Sequence, residues 1–306
     1  MKLNAYLDEW LSRIGPRLAP RTVEGYAQRL RLYVRPYLGE YDLEDLTTMA
    51  VDEGYGRARE RGVSQACLYL GHQVLGRALR RAVIWRLILE NPAEDVRISA
   101  PPARLPPVLA PGQVPTFLQA LPSDQWGALF ITGLGTGLRP GELFGLQWGD
   151  VSWMSPAAVQ VQRTIYRTMV GRGWEPRPPK TARGRRIVLL PGPVVEALQE
   201  HGARNNQRRQ GSDFVFLGSD GCPVDDRMAR KRLATICDHA GLPRMSLYSL
   251  RHSFASLSID AGVEIVDLAA IMGHASVTTT LNTYVRRRPE HRVAARDRFS
   301  RLVWGN

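Results

Sequence analysis

Residues 97–111 hold five prolines, and this single stretch most restricts how the chain can fold. Proline fixes φ and lacks a backbone N–H, so the stretch resists both helix and sheet and favours an extended path. We therefore predict a linker over residues 99–110 that separates two domains, residues 1–98 and residues 111–306. Each domain is long enough to bury a hydrophobic core of its own.

The first predicted domain has the pattern of a helical module that is rich in arginine. Apolar residues recur at helical spacing in four runs, residues 2–14, 22–35, 51–59 and 64–89. The second run leaves Arg29 and Arg31 away from its apolar face, where they can contact a polyanion. We expect four helices, with Ser64 capping the last one and Pro92 stopping it.

The second predicted domain mixes helices with two segments that have a β pattern. Residues 159–166 alternate and are rich in β-branched side chains, and residues 186–190 are mostly apolar, so we predict two strands joined by a basic, turn-rich loop. Helices are predicted over residues 124–135, 194–207 and 227–240 and in three short pieces within residues 247–284. The predicted fold class is mainly α, with a small antiparallel β-sheet in the C-terminal domain.

The chain carries a formal net charge of +12, and arginine supplies most of the excess. A polyanionic partner is the natural inference, because neutralising phosphates releases counterions. The alternative is a composition that simply favours arginine. Arg230 and Lys231, in the predicted helix 227–240, either face the polyanion or belong to an ordinary solvated surface.

Nothing in the sequence indicates a membrane or an oxidising compartment. The N-terminus lacks a signal-peptide core, and we find no apolar run of about 18 residues. The three cysteines, Cys67, Cys222 and Cys237, are odd in number and widely spaced, which fits neither a zinc site nor a disulfide framework. We also find no phosphate-binding loop and no carboxylate-rich metal motif. We therefore predict a cytoplasmic protein that uses no metal or other cofactor.

Residues 248–284 place chemically active side chains on three short predicted helices. The first helix carries Arg251, the second ends at Gly273 just before His274, and the third carries Tyr284. A guanidinium binds a phosphate through parallel N–H bonds, and an imidazole can hydrogen-bond an oxygen or move a proton. A phenol can act as a nucleophile when its neighbours stabilise the oxyanion. Together these groups suggest attack of the Tyr284 hydroxyl on a phosphodiester.

A second group of candidate residues precedes these in the chain. In TGLRPGELFGLQWGDV, Arg139 comes directly before a proline that suits the first position of a helix, and anions are favoured at such a helix start. Glu142 follows in the first turn. The basic loop PKTARGRRIVLLP contains Lys180, and it also contains Arg183 and Arg185, which we interpret as phosphate contacts.

Several of these motifs resemble those of the tyrosine recombinases, the family of phage integrases and Xer-type recombinases. LRHSFAS, MGH and a tyrosine ten residues beyond that histidine occur in the family's order, and the string around Arg139 is similar to its first catalytic-arginine motif. LAPRTVEGYAQRLRLYVRPYLG is similar to the second helix of the family's core-binding domain. The resemblance implies a two-domain clamp on double-stranded DNA, with a helical core-binding (SAM-like) domain followed by a catalytic domain.

The same resemblance implies a role for each candidate residue. Arg139 and Arg251 clamp the phosphate oxygens, and Tyr284 attacks to give a 3′-phosphotyrosyl link. Lys180, which matches the family's β-hairpin lysine, protonates the 5′-oxygen as it leaves, unless it is one more cation that faces the DNA. His274 hydrogen-bonds the phosphate and steadies the pentavalent state. No metal or nucleotide takes part in this chemistry.

Tyr248 departs from the family pattern, which usually has histidine at this position. A phenol can donate a hydrogen bond to a phosphate, but near neutral pH it is a poorer proton shuttle than an imidazole. Glu142 matches the acidic residue that supports the family's site. We hypothesise that Glu142 partners the Tyr248 hydroxyl and that activity survives the substitution.

The predicted function is a site-specific DNA recombinase or integrase that works as a tetramer on two duplexes. The alternatives are type IB topoisomerase-like strand passage without synapsis and a non-catalytic DNA-binding regulator. The tail after Tyr284 either folds back on its own domain or docks on a neighbouring protomer, and accessory directionality factors are further expected partners. We expect a nucleoid-associated protein of bacterial or phage origin. Because the core-binding motifs begin almost at residue 1, we expect either a simple two-domain recombinase or a shortened integrase.

Overall fold

The computed structural model describes residues 1–102, 106–167, 173–179, 184–204, 210–218, 220–274, 276–281, 300 and 303–304. The chain divides into two compact units, Met1–Arg104 and Leu105–Asn306, and the division lies inside the predicted linker. The described residues are mostly helical, with two small antiparallel sheets, so the predicted fold class is confirmed. The domain ends assigned from the sequence stay a prediction. None of the described helices is both long and apolar enough to span a bilayer.

Helices form the N-terminal unit. They are α1 Leu3–Ile14, α2 Pro20–Tyr33, α3 Arg35–Leu38, α4 Thr48–Glu60 and α5 Gln65–Ile84. The amphipathic helices bury their apolar stripes in one core, in which Tyr6, Leu7 and Leu75 are fully covered. The Ser64 side chain accepts a hydrogen bond from the Cys67 N–H, so the predicted cap of α5 is confirmed.

Helix α5 ends at Ile84, whereas the sequence pattern predicted a helix to about residue 89. Arg86 has a left-handed φ of 60°, and the Leu87 N–H donates to the Ala82 carbonyl, a closure typical of a helix C-terminus. The backbone therefore leaves the helical path before Pro92, where the sequence predicts that the helix stops.

Helix α7 is the central element of the C-terminal unit. The helices of this unit are α6 Val114–Ala120, α7 Gln125–Thr136, α8 Pro140–Phe144, α9 Gly192–Arg204, α10 Asp226–His239, α11 Leu247–Asp260, α12 Ile265–Met272 and α13 Val277–Thr280. The Asp124 carboxylate caps α7, which packs against α9 and α11 and buries Leu129 and Phe130. Gly137 ends α7 with φ at 61° and turns the chain towards α8.

Five short strands complete the described part of the C-terminal unit. They are β1 Val151–Ser152, β2 Ala158–Val161, β3 Thr164–Arg167, β4 Trp174–Arg177 and β5 Arg186–Leu189. One sheet has the order β1-β2-β5, with Val159 opposite Val188, and the other pairs β3 with β4. All of these pairings are antiparallel.

The single strand predicted over residues 159–166 is wrong, because the structure breaks it into β2 and β3. Arg163 lies between the two strands and turns its guanidinium to the Asp150 carboxylate and, at 3.3 Å, to the Gly145 carbonyl. The predicted basic loop is also shorter than expected, because it contains β4. Neither a local ion pair nor a partner strand is visible in a β-propensity pattern.

Candidate active site

Arg139 is positioned by a tight turn between α7 and α8. It occupies the N-cap position of α8, and its backbone N–H donates to Glu142 Oε2 at 2.8 Å. Its side chain returns to the same carboxylate, with Nη1 at 2.8 Å from Glu142 Oε1. This double contact fixes the direction in which the Arg139 guanidinium leaves the helix start.

Three arginines from different elements donate to consecutive carbonyls at the C-terminal end of α12. The contacts are Arg186 Nε to Ile271 O at 2.5 Å, Arg251 Nη2 to Met272 O at 2.8 Å and Arg139 Nη2 to Gly273 O at 2.7 Å. A helix C-terminus carries unsatisfied carbonyls and a partial negative charge, so it attracts cations. The end of α12 thus draws three guanidinium groups to one place.

Arg251 is the most deeply buried of the three and comes from α11. It is 4% exposed, and its Nη1 donates to the Gly137 carbonyl at 2.6 Å. Ser246 caps α11 through the Ser249 N–H and thereby sets the helix phase that points Arg251 inward. A buried guanidinium held by two backbone carbonyls has little rotational freedom, so this charge is preorganised.

Glu142 joins two of the three arginines. The residue is 4% exposed, and its carboxylate also accepts from Arg186, with Nη1 at 3.1 Å from Oε1 and Nη2 at 2.9 Å from Oε2. Burial alone raises the pKa of Glu142, but the hydrogen bonds and charges of Arg186 and Arg139 outweigh it and lower the pKa overall. Glu142 is therefore an ionised bridge between two guanidinium groups.

His274 follows directly after the turn at Gly273, which has a left-handed φ of 63°. The backbone N–H of His274 donates to the Ala269 carbonyl at 3.0 Å. This bond closes the end of α12 and starts the next segment beside the arginines. Burial, followed by the charges of Arg251, Arg139 and Arg186, lowers the pKa of the imidazole to about 4. His274 is therefore neutral at physiological pH, and one ring nitrogen can accept a proton or a hydrogen bond.

Tyr248 lies in the first turn of α11 and is 55% exposed. The structure records no hydrogen bond between its hydroxyl and Glu142, both of which are described residues. The hypothesis that Glu142 partners Tyr248 is therefore wrong for this structure. The physical reason is that Arg139 and Arg186 already donate to both oxygens of the carboxylate.

Three of the predicted site residues, Tyr284, Lys180 and Arg183, lie outside the described residues. Among the predicted DNA contacts that are described, Arg29 on α2 is half-buried. The others are exposed: Arg31 on α2, Arg185 before β5, and Arg230 and Lys231 on α10. Arg230 forms an ion pair with Asp226, which offsets part of its charge. The DNA-binding roles of all these residues stay a prediction.

Arg186 is the residue that the sequence analysis missed. The sequence predicts only that Arg186 begins a strand, yet its side chain contacts Glu142, Ile271 and, through Nη1 at 3.1 Å, the Gly184 carbonyl. In β5, Arg186 and Val188 turn inward, whereas Ile187 is 66% exposed. A charged side chain thus faces inward and an apolar one faces solvent, the reverse of the usual arrangement in a strand. The alternation of apolar and polar residues in the sequence therefore could not identify Arg186.

The site gathers three guanidinium groups and a neutral imidazole at one helix end, and these groups suit a phosphate ester. They place the chain in the class of proteins that act on phosphodiesters. Within that class, the chain belongs to the phage integrase family. The Phage integrase family model matches residues 107–291, and the model of the phage integrase N-terminal SAM-like domain matches residues 2–53.

Named relatives and solved structures agree with this assignment. A tyrosine recombinase XerC-like protein of Caldanaerobacter subterraneus subsp. tengcongensis is 25% identical over 304 residues, which cover 90% of this chain and 76% of that protein. The Tn1549 transposon integrase in complex with transposon right end DNA has a TM-score of 0.82 at 23% identity and covers 98% of this chain and 100% of that one. A lambda integrase tetramer bound to a Holliday junction has a TM-score of 0.65 at 18% identity, and the match covers 91% of this chain and 79% of that one. At these identities the two structures show a shared fold.

Proposed function

We propose that this protein is a site-specific DNA recombinase, or integrase, that cuts and rejoins strands through a 3′-phosphotyrosyl intermediate. The observation that carries the proposal is the donation of Arg139, Arg186 and Arg251 to three consecutive carbonyls directly before His274. Family membership favours this function over a topoisomerase-like activity and over a non-catalytic regulator.

Arg139 and Arg251 neutralise the phosphate under attack. A phosphodiester is negatively charged and repels nucleophiles, so catalysis needs cations fixed where charge develops. The carbonyls of Gly137, Met272 and Gly273 hold the two guanidinium groups before DNA arrives, which reduces the reorganisation needed at the transition state. The Arg139 side chain is 35% exposed, so part of its donor edge is open to a phosphate oxygen.

Tyr284 is the nucleophile and Lys180 the general acid. The phenol oxygen forms a bond to phosphorus as the bond from phosphorus to the 5′-oxygen breaks, and the Tyr284 proton leaves during attack. Lys180 gives a proton to the departing 5′-oxygen, so the products are a 3′-phosphotyrosine and a 5′-hydroxyl. Because the phosphoester is conserved, a 5′-hydroxyl from another strand can reverse the step and complete the exchange.

His274 supports the reaction as a neutral imidazole. Because its pKa is lowered to about 4, the ring is neutral at physiological pH. A neutral imidazole has one ring nitrogen that can accept the Tyr284 proton and one N–H that can donate to a phosphate oxygen. The three neighbouring positive charges oppose protonation of the ring in the free enzyme. A phosphate anion in the site offsets these charges and makes the imidazole a better base when substrate is bound.

Arg186 and Glu142 act as positioning residues. Glu142 binds the Arg139 guanidinium, and Arg186 ties the same carboxylate to the end of α12. The spacing between Arg139 and His274 therefore depends on this bridge. The site therefore depends on both residues even if neither contacts the phosphate.

Double-stranded DNA and further copies of the same chain are the proposed partners. The net charge of +12 suits a DNA ligand, and the exchange of two duplexes requires four cleavages and hence four tyrosines. We propose a tetramer on DNA, with the C-terminal tail as one contact between protomers and directionality factors as accessory partners. The proposed location is the cytoplasm, at the nucleoid.

A nicked suicide substrate tests this function. The fragment after the nick diffuses away once the strand is cut, so religation fails and a covalent protein–DNA complex accumulates. We expect the unmodified protein to form this complex and Tyr284→Phe to form none while still binding the duplex. Relaxation of supercoiled plasmid without recombinant product would favour the topoisomerase-like alternative. A Tyr284→Phe protein that retained full biological output would favour the regulator.

A further inference from the structure

The N-terminal unit contains a cavity that the proposed strand-transfer chemistry does not use. It measures about 700 Å³ and is lined by the C-terminal half of α1 and the residues that follow it, by the middle of α2 and by the C-terminal half of α5. Five arginines line it, and they are Arg13, Arg17, Arg77, Arg80 and Arg81. The lining that the structure describes contains no Asp or Glu.

Few of these arginine charges are neutralised by protein groups. Arg13 forms an ion pair with Glu9 at 2.5 Å, and Arg77 Nη1 donates to the Tyr26 hydroxyl at 2.8 Å. Over the described residues, the side chains of Arg17, Arg80 and Arg81 form no hydrogen bond or ion pair. Like charges gathered around a cavity raise the local positive potential, and an anion that enters relieves their repulsion.

Three aromatic side chains, Trp10, Tyr26 and Trp85, also line the cavity. Trp10 stacks on Tyr26, with ring centroids 5.8 Å apart, and the Arg13 guanidinium lies 5.3 Å from the Trp85 ring centroid. Tyr26 and Trp85 are partly exposed, so some of each ring is open to a ligand. Aromatic faces and guanidinium planes are the groups on which unpaired nucleic-acid bases stack.

We propose that this cavity binds a nucleotide, with its base against Trp85 and Arg13 and its phosphate on Arg80 and Arg81. The volume falls within the range of about 300–1,000 Å³ that is usual for small-ligand sites, which is enough for one nucleotide. A base that is paired and stacked in a duplex cannot enter such a cavity. The ligand is therefore either a free nucleotide or an unpaired nucleotide within a DNA strand.

Binding measurements on the full chain test the proposal. The Tyr284→Phe background removes covalent capture, so the result does not depend on the proposed strand-transfer activity. Adenosine monophosphate is titrated by calorimetry, and a short fluorescein-labelled oligothymidylate by fluorescence anisotropy. The variants are Arg80→Gln alone and Arg80→Gln with Arg81→Gln. The matched control is Arg59→Gln, which removes one exposed charge on α4 outside the cavity.

We expect the double variant to weaken binding by about tenfold or more, since two charge-assisted hydrogen bonds to phosphate are lost. Arg80→Gln alone should produce part of this loss, and Arg59→Gln should stay within about twofold of its background. If the double variant loses affinity for both ligands, the site is one that free nucleotides can fill. A loss confined to the oligothymidylate identifies an unpaired nucleotide within a strand.

Three results would overturn the proposal. The first is competition by inorganic phosphate or polyglutamate as strong as that by adenosine monophosphate, because charge alone would then explain binding. The second is a duplex that binds more tightly than the oligothymidylate with the same dependence on Arg80, because the cavity would then be part of a duplex surface. The third is equal binding by the Arg59 and Arg80 variants. Matching melting temperatures show that each variant is folded.

Discussion

Arg186 and Glu142 form a two-point ion pair inside the C-terminal unit, with Nη1 3.1 Å from Oε1 and Nη2 2.9 Å from Oε2. The Arg186 side chain is 7% exposed and the Glu142 side chain 3% exposed. The pair connects β5 to α8, and the third donor of Arg186 reaches the end of α12 at Ile271. The elements that carry Arg139 and His274 are therefore held together by one guanidinium.

Replacing Arg186 by lysine should weaken both the fold and the reaction. Lysine keeps the charge but cannot reproduce two parallel bonds to a carboxylate together with a third bond to a carbonyl. We expect the free energy of unfolding to fall by about 1.5–3 kcal/mol, the usual contribution of a hydrogen bond to a charged group. Denaturant unfolding measures that loss, and formation of the covalent complex on a suicide substrate should slow by about tenfold or more.

Arg244→Lys is the matched control for that experiment. Arg244 also binds a carboxylate at two points, with Nε and Nη2 each 2.8 Å from an Asp238 oxygen, but its side chain is 76% exposed. We expect its substitution to change the free energy of unfolding much less than Arg186→Lys does, because solvent screens an exposed ion pair. Equal effects at Arg186 and Arg244 would contradict the argument that burial gives the Arg186 pair its importance.

The sequence predicted much of the site, but it could not predict how the site is held. LRHSFAS and MGH indicated Arg251 and His274, because these residue types have a direct chemical use at a phosphate. Arg186 has no such motif, and its importance arises from Ile271 and Glu142, which are distant in sequence. Contacts of this kind depend on tertiary packing, which local propensity and spacing do not encode.

Tyr248→Phe should have a small effect on cleavage. The Tyr248 ring is largely exposed, and its hydroxyl can offer at most a neutral hydrogen bond to the phosphate. Such a bond contributes about 0.5–1.5 kcal/mol, so the rate of covalent-complex formation should fall by no more than about tenfold. A loss as large as that caused by Arg139→Ala would show that Tyr248 has an essential role.

The stability of the free protein should decrease as the pH falls from about 6.5, the ordinary histidine pKa, towards about 4. The folded state holds His274 neutral in this window, whereas the unfolded chain binds a proton there, so acid favours unfolding. Urea unfolding of the unmodified protein and of His274→Gln at pH 7 and pH 5 measures the effect. We expect the unmodified protein to lose more stability than the variant between these pH values. Equal losses of stability in the two proteins would mean that folding does not lower the pKa of His274.

Gly137→Ala should destabilise the C-terminal unit. Gly137 has φ at 61°, and an added Cβ would lie 2.3 Å from Cδ1 of Phe254. The shift needed to relieve that clash would also move the carbonyl that accepts Arg251, so cleavage should slow together with stability. The left-handed backbone alone costs about 1–2 kcal/mol for an alanine.

Gly25→Ala provides a control of opposite sign for that substitution. Gly25 lies within α2, and nothing is within 4 Å of a Cβ added there. Alanine should stabilise this helix by roughly 0.5–1 kcal/mol, because glycine loses more backbone entropy on folding. Thermal unfolding followed by circular dichroism compares the two variants. A Gly137→Ala protein that was as stable and as active as the unmodified one would contradict the role assigned to this turn.

Mapping the covalent attachment site on the protein tests the central claim most directly. The complex trapped on a nicked duplex is digested with nuclease and protease, and mass spectrometry identifies the residue that carries the nucleotide. We predict that Tyr284 carries it through a 3′-phosphate and that Arg139→Ala and Arg251→Ala abolish the modified peptide. Attachment at another residue, or through a 5′-phosphate, would contradict the account.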